Sequence, residues 1–161
     1  MKERVLRGVM AGFLATLLLT LVMAVKLFAR FAPDINLAAL LSGVLGAPPW
    51  VGWGVHLVIG TLVWGPLFAL LSPRLPGSTC MVRGILFAVG AWLLMALVVL
   101  PLAGMGVFGL AYGFAAPATT LALHMIYGAA LGFAYRSLHG EWKLKSPADG
   151  GVHGALRYTH Y

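Results

Sequence analysis

Apolar residues fall in four long runs along this chain, and short stretches that contain most of the prolines separate them. The runs cover about residues 5–28, 51–71, 81–100 and 117–138. At ~1.5 Å per residue, a helix over any of them can cross a hydrocarbon core ~30 Å thick. The pattern therefore predicts four transmembrane helices and an all-α membrane fold.

Two further segments do not fit a spanning helix. Residues 35–45 are apolar but too short to span, so we expect them along the outer membrane surface or over the mouth of the bundle. Pro33 is expected to end the first helix, and Asp34 to cap the short segment. Residues 140–161 are polar and weakly patterned, which predicts a cytoplasmic tail without a fold of its own.

Composition supports the membrane assignment. Hydrophobic residues make up 61% of the chain and charged residues only 9%, whereas a soluble domain has about 25% charged residues. The single cysteine, Cys80, excludes an intrachain disulfide and argues against a cysteine-based metal site. The lipid bilayer is therefore the first partner that the sequence predicts.

The basic residues lie on one side of the predicted helices. Two stand on the opposite side, Lys26 and Arg30. The other nine are in the N-terminal arm, the loop near residue 74 and the C-terminal region: Lys2, Arg4, Arg7, Arg74, Arg83, Arg136, Lys143, Lys145 and Arg157. Since cytoplasmic loops are enriched in Lys and Arg, both termini are predicted to be cytoplasmic. This distribution explains the formal charge of +7 by orientation and argues against a nucleic-acid partner.

The two halves of the chain share short sequence motifs. Arg7-Gly8 corresponds to Arg83-Gly84 at the start of the first and third runs. Proline, histidine and glycine recur at one spacing in the second and fourth runs: Pro49, His56 and Gly60, then Pro117, His124 and Gly128. The repetition predicts two parallel helix-hairpin repeats, residues 5–72 and 80–139, that form one four-helix bundle over residues 1–139.

The motifs resemble those of an uncharacterised family of small four-helix prokaryotic membrane proteins. The motifs that carry the resemblance are Gly-Trp-x-x-His56-x-x-x-Gly60, Arg83-Gly84, Leu100-Pro101-Leu102-x-Gly104 and His124-x-x-Tyr127-Gly128. It covers about residues 5–138. The resemblance implies the four-helix fold and a multi-pass protein of the prokaryotic inner membrane, and it implies no activity.

The two intramembrane histidines are the candidate site. Each lies seven residues after a proline, so His56 and His124 are expected at similar depth on opposite sides of the bundle centre. Gly60 and Gly128 stand one turn further along and would leave room for a flat ring. This layout suits two axial ligands of a b-type haem, and the predicted haem pocket is His56, His124, Gly60 and Gly128.

Other interpretations of the histidines remain open. Each imidazole can instead bond a neighbouring helix, at ~0.6 kcal/mol for a typical membrane hydrogen bond. Intramembrane ionisable residues also carry protons or bind metals. A metal site would use His56 and His124, and a copper ion could add Met105 or Met125 as a ligand.

Three functions follow from these alternatives. The chain has no nucleophile–base set and no paired carboxylates, so it is not expected to be an enzyme by itself. It is predicted to be a non-catalytic accessory subunit of a larger electron-transfer or respiratory membrane complex, with larger membrane-protein subunits as partners. The alternatives are a single-haem b electron carrier and a small transporter or channel. The last is less favoured because no helix looks interrupted at mid-membrane.

Overall fold

The computed structural model describes residues 1–29 and 37–144 of the chain. Within those ranges it contains helices and no strand. The longer helices are α1 (Lys2–Ala29), α2 (Leu37–Leu45), α3 (Pro49–Leu71), α4 (Cys80–Leu102) and α5 (Ala115–Leu144). A short 3₁₀ helix, Val107–Tyr112, lies between α4 and α5. All of the numbered helices except α2 are long and apolar enough to cross a membrane. The predicted all-α fold with four spans is confirmed, while Pro33, Asp34 and residues 145–161 lie outside the described residues.

Local chemistry explains where two of the spans begin. Pro49 opens α3, where the fixed φ of proline suits the first helical turn and its missing N–H would have no partner. Thr79 caps α4, because its hydroxyl oxygen accepts a hydrogen bond from the N–H of Val82 at 3.2 Å. The helix α5 continues to Leu144, past residue 138, where the apolar run ends.

Glycines bring the helices close together in pairs. Gly8 of α1 lies against Gly65 of α3, where a Cβ on Gly8 would stand 2.6 Å from the Gly65 carbonyl oxygen. Gly84 of α4 lies in the same way against Gly128 of α5. These glycine contacts therefore join α1 to α3 and α4 to α5.

Two of the spanning helices contain a π-helical segment, Ile59–Trp64 in α3 and Met95–Val99 in α4. Each segment ends two residues before a proline, Pro66 or Pro101. Proline has no N–H to donate and its ring displaces the carbonyl four residues earlier, so the turn widens. The backbone stays helical through both segments, and α3 and α4 each run as one continuous span, as the sequence predicts.

The π segment of α3 also sets which residues face α1. In a regular α-helix two residues five positions apart point about 140° away from each other. Here Gly60 and Gly65 both lie against α1, Gly60 beside Thr16 and Gly65 beside Gly8. The wider turn therefore places both glycines on the face of α3 that contacts α1.

The bundle is closed at one end and open at the other. The helix α1 packs against α3 and α5, and α4 packs against α5. Near the 72–79 connection, α3 and α4 meet through aromatic rings, with Phe87 5.8 Å from Trp64 and 5.5 Å from Phe68. Phe68 also lies 5.5 Å from Tyr135 of α5. Beyond this cluster a cavity separates α3 from α4.

The short helix α2 covers the open end. Its Ser42 hydroxyl accepts a hydrogen bond from the N–H of Gly52 at 3.1 Å, and Ala38 lies directly against Gly52. Leu41, on the same helix, lines the cavity. The sequence allowed this segment to lie along the membrane surface or over the mouth of the bundle. In the structure it lies over the mouth of the bundle.

Candidate functional site

A cavity of about 250 Å³ lies between α3 and α4. Its polar lining side chains are Thr16, His56, His124 and Tyr127, and aliphatic and aromatic side chains form the rest. Leu94 and Val99 of α4 lie at its edge and are 51% and 40% exposed. The cavity therefore opens sideways, toward the hydrocarbon of a surrounding bilayer.

His56 enters this cavity from α3, immediately before the π segment. The residue is only 7% exposed, and its Nε2 atom is buried without a hydrogen-bond partner. The edge of its ring meets Trp53, with 6.3 Å between ring centroids. Buried polar atoms in folded proteins nearly always have a partner, and an unpaired one costs ~1–3 kcal/mol. The position of this nitrogen thus points to a ligand.

His124 enters the cavity from α5 with one nitrogen already engaged. Its Nδ1 lies 2.8 Å from the carbonyl oxygen of Thr120. A carbonyl can only accept, so Nδ1 must carry the proton of this bond. In the neutral ring Nε2 then holds a lone pair, which is the arrangement of a metal-binding histidine whose other nitrogen is tied to a backbone carbonyl.

A second, smaller void adjoins the same two rings. It measures about 40 Å³ and is lined by both histidines, Thr120 and the methionines Met23 and Met95, together with three leucines. Thr120 is held in place, since its hydroxyl lies 3.1 Å from the indole N–H of Trp92. The histidine pair therefore stands where the two spaces adjoin.

The two predicted glycines have different surroundings. Gly60 lines the larger cavity, and its carbonyl oxygen accepts a hydrogen bond from the Tyr127 hydroxyl at 2.9 Å. Gly128 instead packs into the α4–α5 contact, where an added Cβ would lie 2.6 Å from the Cβ of Ala88. The structure brings His56, His124 and Gly60 together and leaves Gly128 outside the cavity.

The methionines at the site are not those that the sequence suggested. Met105 is buried elsewhere and Met125 is 41% exposed, and neither lines the two spaces. Met95 lines both spaces and Met23 lines the smaller one. No pattern in the sequence distinguishes these two methionines from the other five.

No Asp, Glu, Lys or Arg is among the residues that line either space. Nor do the described residues contain a group of three or more His, Cys, Asp or Glu side chains that could hold an ion. The chemistry available in the bundle interior is therefore that of neutral imidazoles, thioethers and hydroxyls.

Four apolar spans indicate a small multi-pass membrane protein, and the histidine-lined cavity is its candidate site. The chain belongs to the family of unknown function DUF6789, whose model matches residues 2–146. The resemblance to an uncharacterised family is thereby confirmed. No curated protein and no solved structure matches the chain. Any functional conclusion therefore rests on the site itself.

Proposed function

We propose that this protein binds a metal centre inside the membrane, with the imidazoles of His56 and His124 as its ligands. The observation that supports this most is that neither ring uses its Nε2 atom within the protein, although both rings line the same two spaces. A bound metal would satisfy both nitrogens at once.

A purely structural role for the pair explains less. A histidine that only joined helices would bond a neighbouring helix, at ~0.6 kcal/mol for a membrane hydrogen bond. His124 bonds its own helix, and the Nε2 atom of His56 bonds nothing. Two polar rings facing an apolar space are costly without a ligand and favourable with one.

Within this proposal the protein is a non-catalytic subunit of a larger electron-transfer or respiratory complex in the prokaryotic inner membrane. A metal centre held by two histidines in a small bundle suits electron transfer, and the cavity presents no nucleophile–base set. Gly54 and Gly90 lie on the outside of α3 and α4 with no atom within 4 Å of an added Cβ. They leave room for a partner helix to approach closely.

A b-type haem is one form that this centre could take, and the protein would then be a single-haem electron carrier. Gly60 and the apolar walls of the larger cavity favour a flat macrocycle between the two rings. The cavity of about 250 Å³ is below the ~300–1,000 Å³ of ordinary ligand sites. A macrocycle therefore requires α3 and α4 to separate further.

The haem form is tested by the visible spectrum of the purified protein after expression with added haem precursor. We expect reduced-minus-oxidised b-type bands in the wild type and their loss in His56→Ala and His124→Ala. A wild-type protein that stays colourless when haem is supplied would remove this form of the centre, while a bare metal ion is tested separately below.

The π segments of α3 and α4 favour transport as a second candidate function. π-helical segments occur frequently at functional sites, and both segments here border the cavity. Phe68, Phe87 and Tyr135 are buried beyond the cavity and close its inner end. If the protein is a conduit, Phe87→Ala should raise ion flux into proteoliposomes above that of the wild type. Equal flux in both would count against transport.

A further inference from the structure

We infer that the smaller void beside the histidine pair is a site for one monovalent soft metal ion, Cu⁺, with His56, His124, Met95 and Met23 as ligands. This inference rests on the proposed use of the two histidines as metal ligands. It adds the identity of the ion and the two thioether ligands.

The size of the void suits a bare ion. Its volume of about 40 Å³ is roughly one sixth of the 250 Å³ of the larger cavity, which is itself below the ~300–1,000 Å³ of ordinary ligand sites. A haem does not fit such a space, whereas a single ion in contact with the side chains does.

The lining side chains select a soft ion. Two imidazoles and two thioethers border this space, and both methionines are less than one-tenth exposed. Thioether sulfur favours Cu(I), whereas magnesium, calcium and manganese require oxygen ligands such as carboxylates. The only oxygen-bearing side chain in the lining is Thr120, whose hydroxyl donates to the Ala116 carbonyl at 2.9 Å.

The absence of a carboxylate from the lining favours a single positive charge. No acidic side chain lines either space, so a bound divalent ion would keep its full charge in a low-dielectric interior. The desolvation penalty for one buried charge is already several kcal/mol, and it rises steeply with charge. Neutral His and Met ligands therefore suit Cu⁺ better than Cu²⁺ or Zn²⁺.

Neighbouring groups position the ligands. The bond from His124 Nδ1 to the Thr120 carbonyl orients its ring, and Trp92 of α4 bonds the Thr120 hydroxyl. Met95 begins the π segment of α4, and it lines both spaces. Hydrogen bonds of this kind to ligating histidines hold the ring orientation and tune metal affinity.

The test is a competition titration of the full-length protein in detergent, without oxygen, with Cu⁺ supplied from a coloured Cu⁺ chelator. We expect one Cu⁺ to bind per chain. Loss of a ligand should weaken binding at least as much as loss of a group that only orients a ligand, so Met95→Leu and Met23→Leu should each lower the affinity about tenfold or more. Met105→Leu is the matched control, because Met105 is equally buried but lines neither space, and it should bind as the wild type does.

The remaining outcomes separate this inference from the proposal on which it rests. Equal Cu⁺ affinity in Met95→Leu, Met23→Leu and Met105→Leu would overturn the thioether ligation. A protein that binds haem through both histidines but takes up no Cu⁺ would overturn this inference and leave the proposed metal centre intact. If the wild-type protein binds neither Cu⁺ nor haem, both this inference and the proposed metal centre are overturned. Circular dichroism and gel filtration of each variant identify any that has not folded.

Discussion

The two histidines of the cavity are held in different ways, and this difference defines what each can do. His124 is oriented by its own helix through the Thr120 carbonyl, so its free nitrogen has a fixed protonation state in the neutral ring. His56 is held by packing against Trp53 and leaves Nε2 unpaired. One ring is thus preset as a ligand, and the other has a buried nitrogen that a ligand would satisfy.

Tyr127→Phe should have a small effect on stability. The Tyr127 hydroxyl donates to the Gly60 carbonyl at 2.9 Å, but that oxygen also accepts the N–H of Gly65 and keeps this bond in the variant. We expect a loss of about 0.6 kcal/mol, the mean for membrane hydrogen bonds. Unfolding by sodium dodecyl sulfate in mixed micelles measures it, with the exposed Tyr112→Phe as control. A loss much above ~1.7 kcal/mol would contradict this account of the bond.

At the scale of residues, the sequence identified the histidines but not their surroundings. Polar rings in apolar runs are visible in the letters alone, and His56, His124 and Gly60 indeed line one cavity. The methionines are not visible in this way, because seven of them are distributed through apolar segments and only the packing shows which approach the rings. Met23 and Met95 were therefore not foreseen.

The spanning helices show how a local feature alters a repeated pattern. Gly60 and Gly128 occupy equivalent places in the two motifs, yet one lines the cavity and the other packs against α4. Pro66 widens the turn of α3 after Gly60, and α5 has Ala134 at the corresponding position. The repeated motif predicted equivalent positions for the two glycines, but Pro66 gives α3 a π-helical turn that α5 lacks.

The number, order and approximate limits of the spans were predictable from hydrophobicity, because a π-helical turn does not change the length or the apolar character of a helix.

Helix contacts through glycine give a second prediction. In Gly84→Ala the new methyl group would clash with the Gly128 carbonyl oxygen, so α4 and α5 must move apart. We expect a loss of about 1–3 kcal/mol, as for other overpacked sites. In Gly90→Ala the methyl group meets no atom within 4 Å, and stability should be unchanged or slightly higher. The same micelle unfolding assay compares the two variants, and equal losses in both would refute the proposed contact.

At the scale of the whole molecule, the structure is a bundle sealed at one end by aromatic rings and covered at the other by α2. The histidine pair lies between these two ends, beside a sideways opening between α3 and α4. The candidate site therefore lies in the interior of the bundle, between its two ends.

Orientation in the membrane is a prediction of the charge distribution. Nine basic residues on one side of the predicted spans against two on the other predict that both termini are cytoplasmic. In a bacterial host, a fluorescent protein fused to the C-terminus should therefore fluoresce, and alkaline phosphatase at the same point should be inactive. The reverse pattern would show that the chain is inserted the other way round.

The central claim is that His56 and His124 together bind a metal centre, and the metal content of the purified protein tests it most directly. The full-length protein is loaded with Cu⁺ or with haem, freed of excess by gel filtration and analysed for copper and iron by mass spectrometry. We predict one metal per wild-type chain, and close to none in His56→Gln and in His124→Gln, whose folding is checked by gel filtration. Wild-type protein without either metal, or both variants with as much metal as the wild type, would contradict the account.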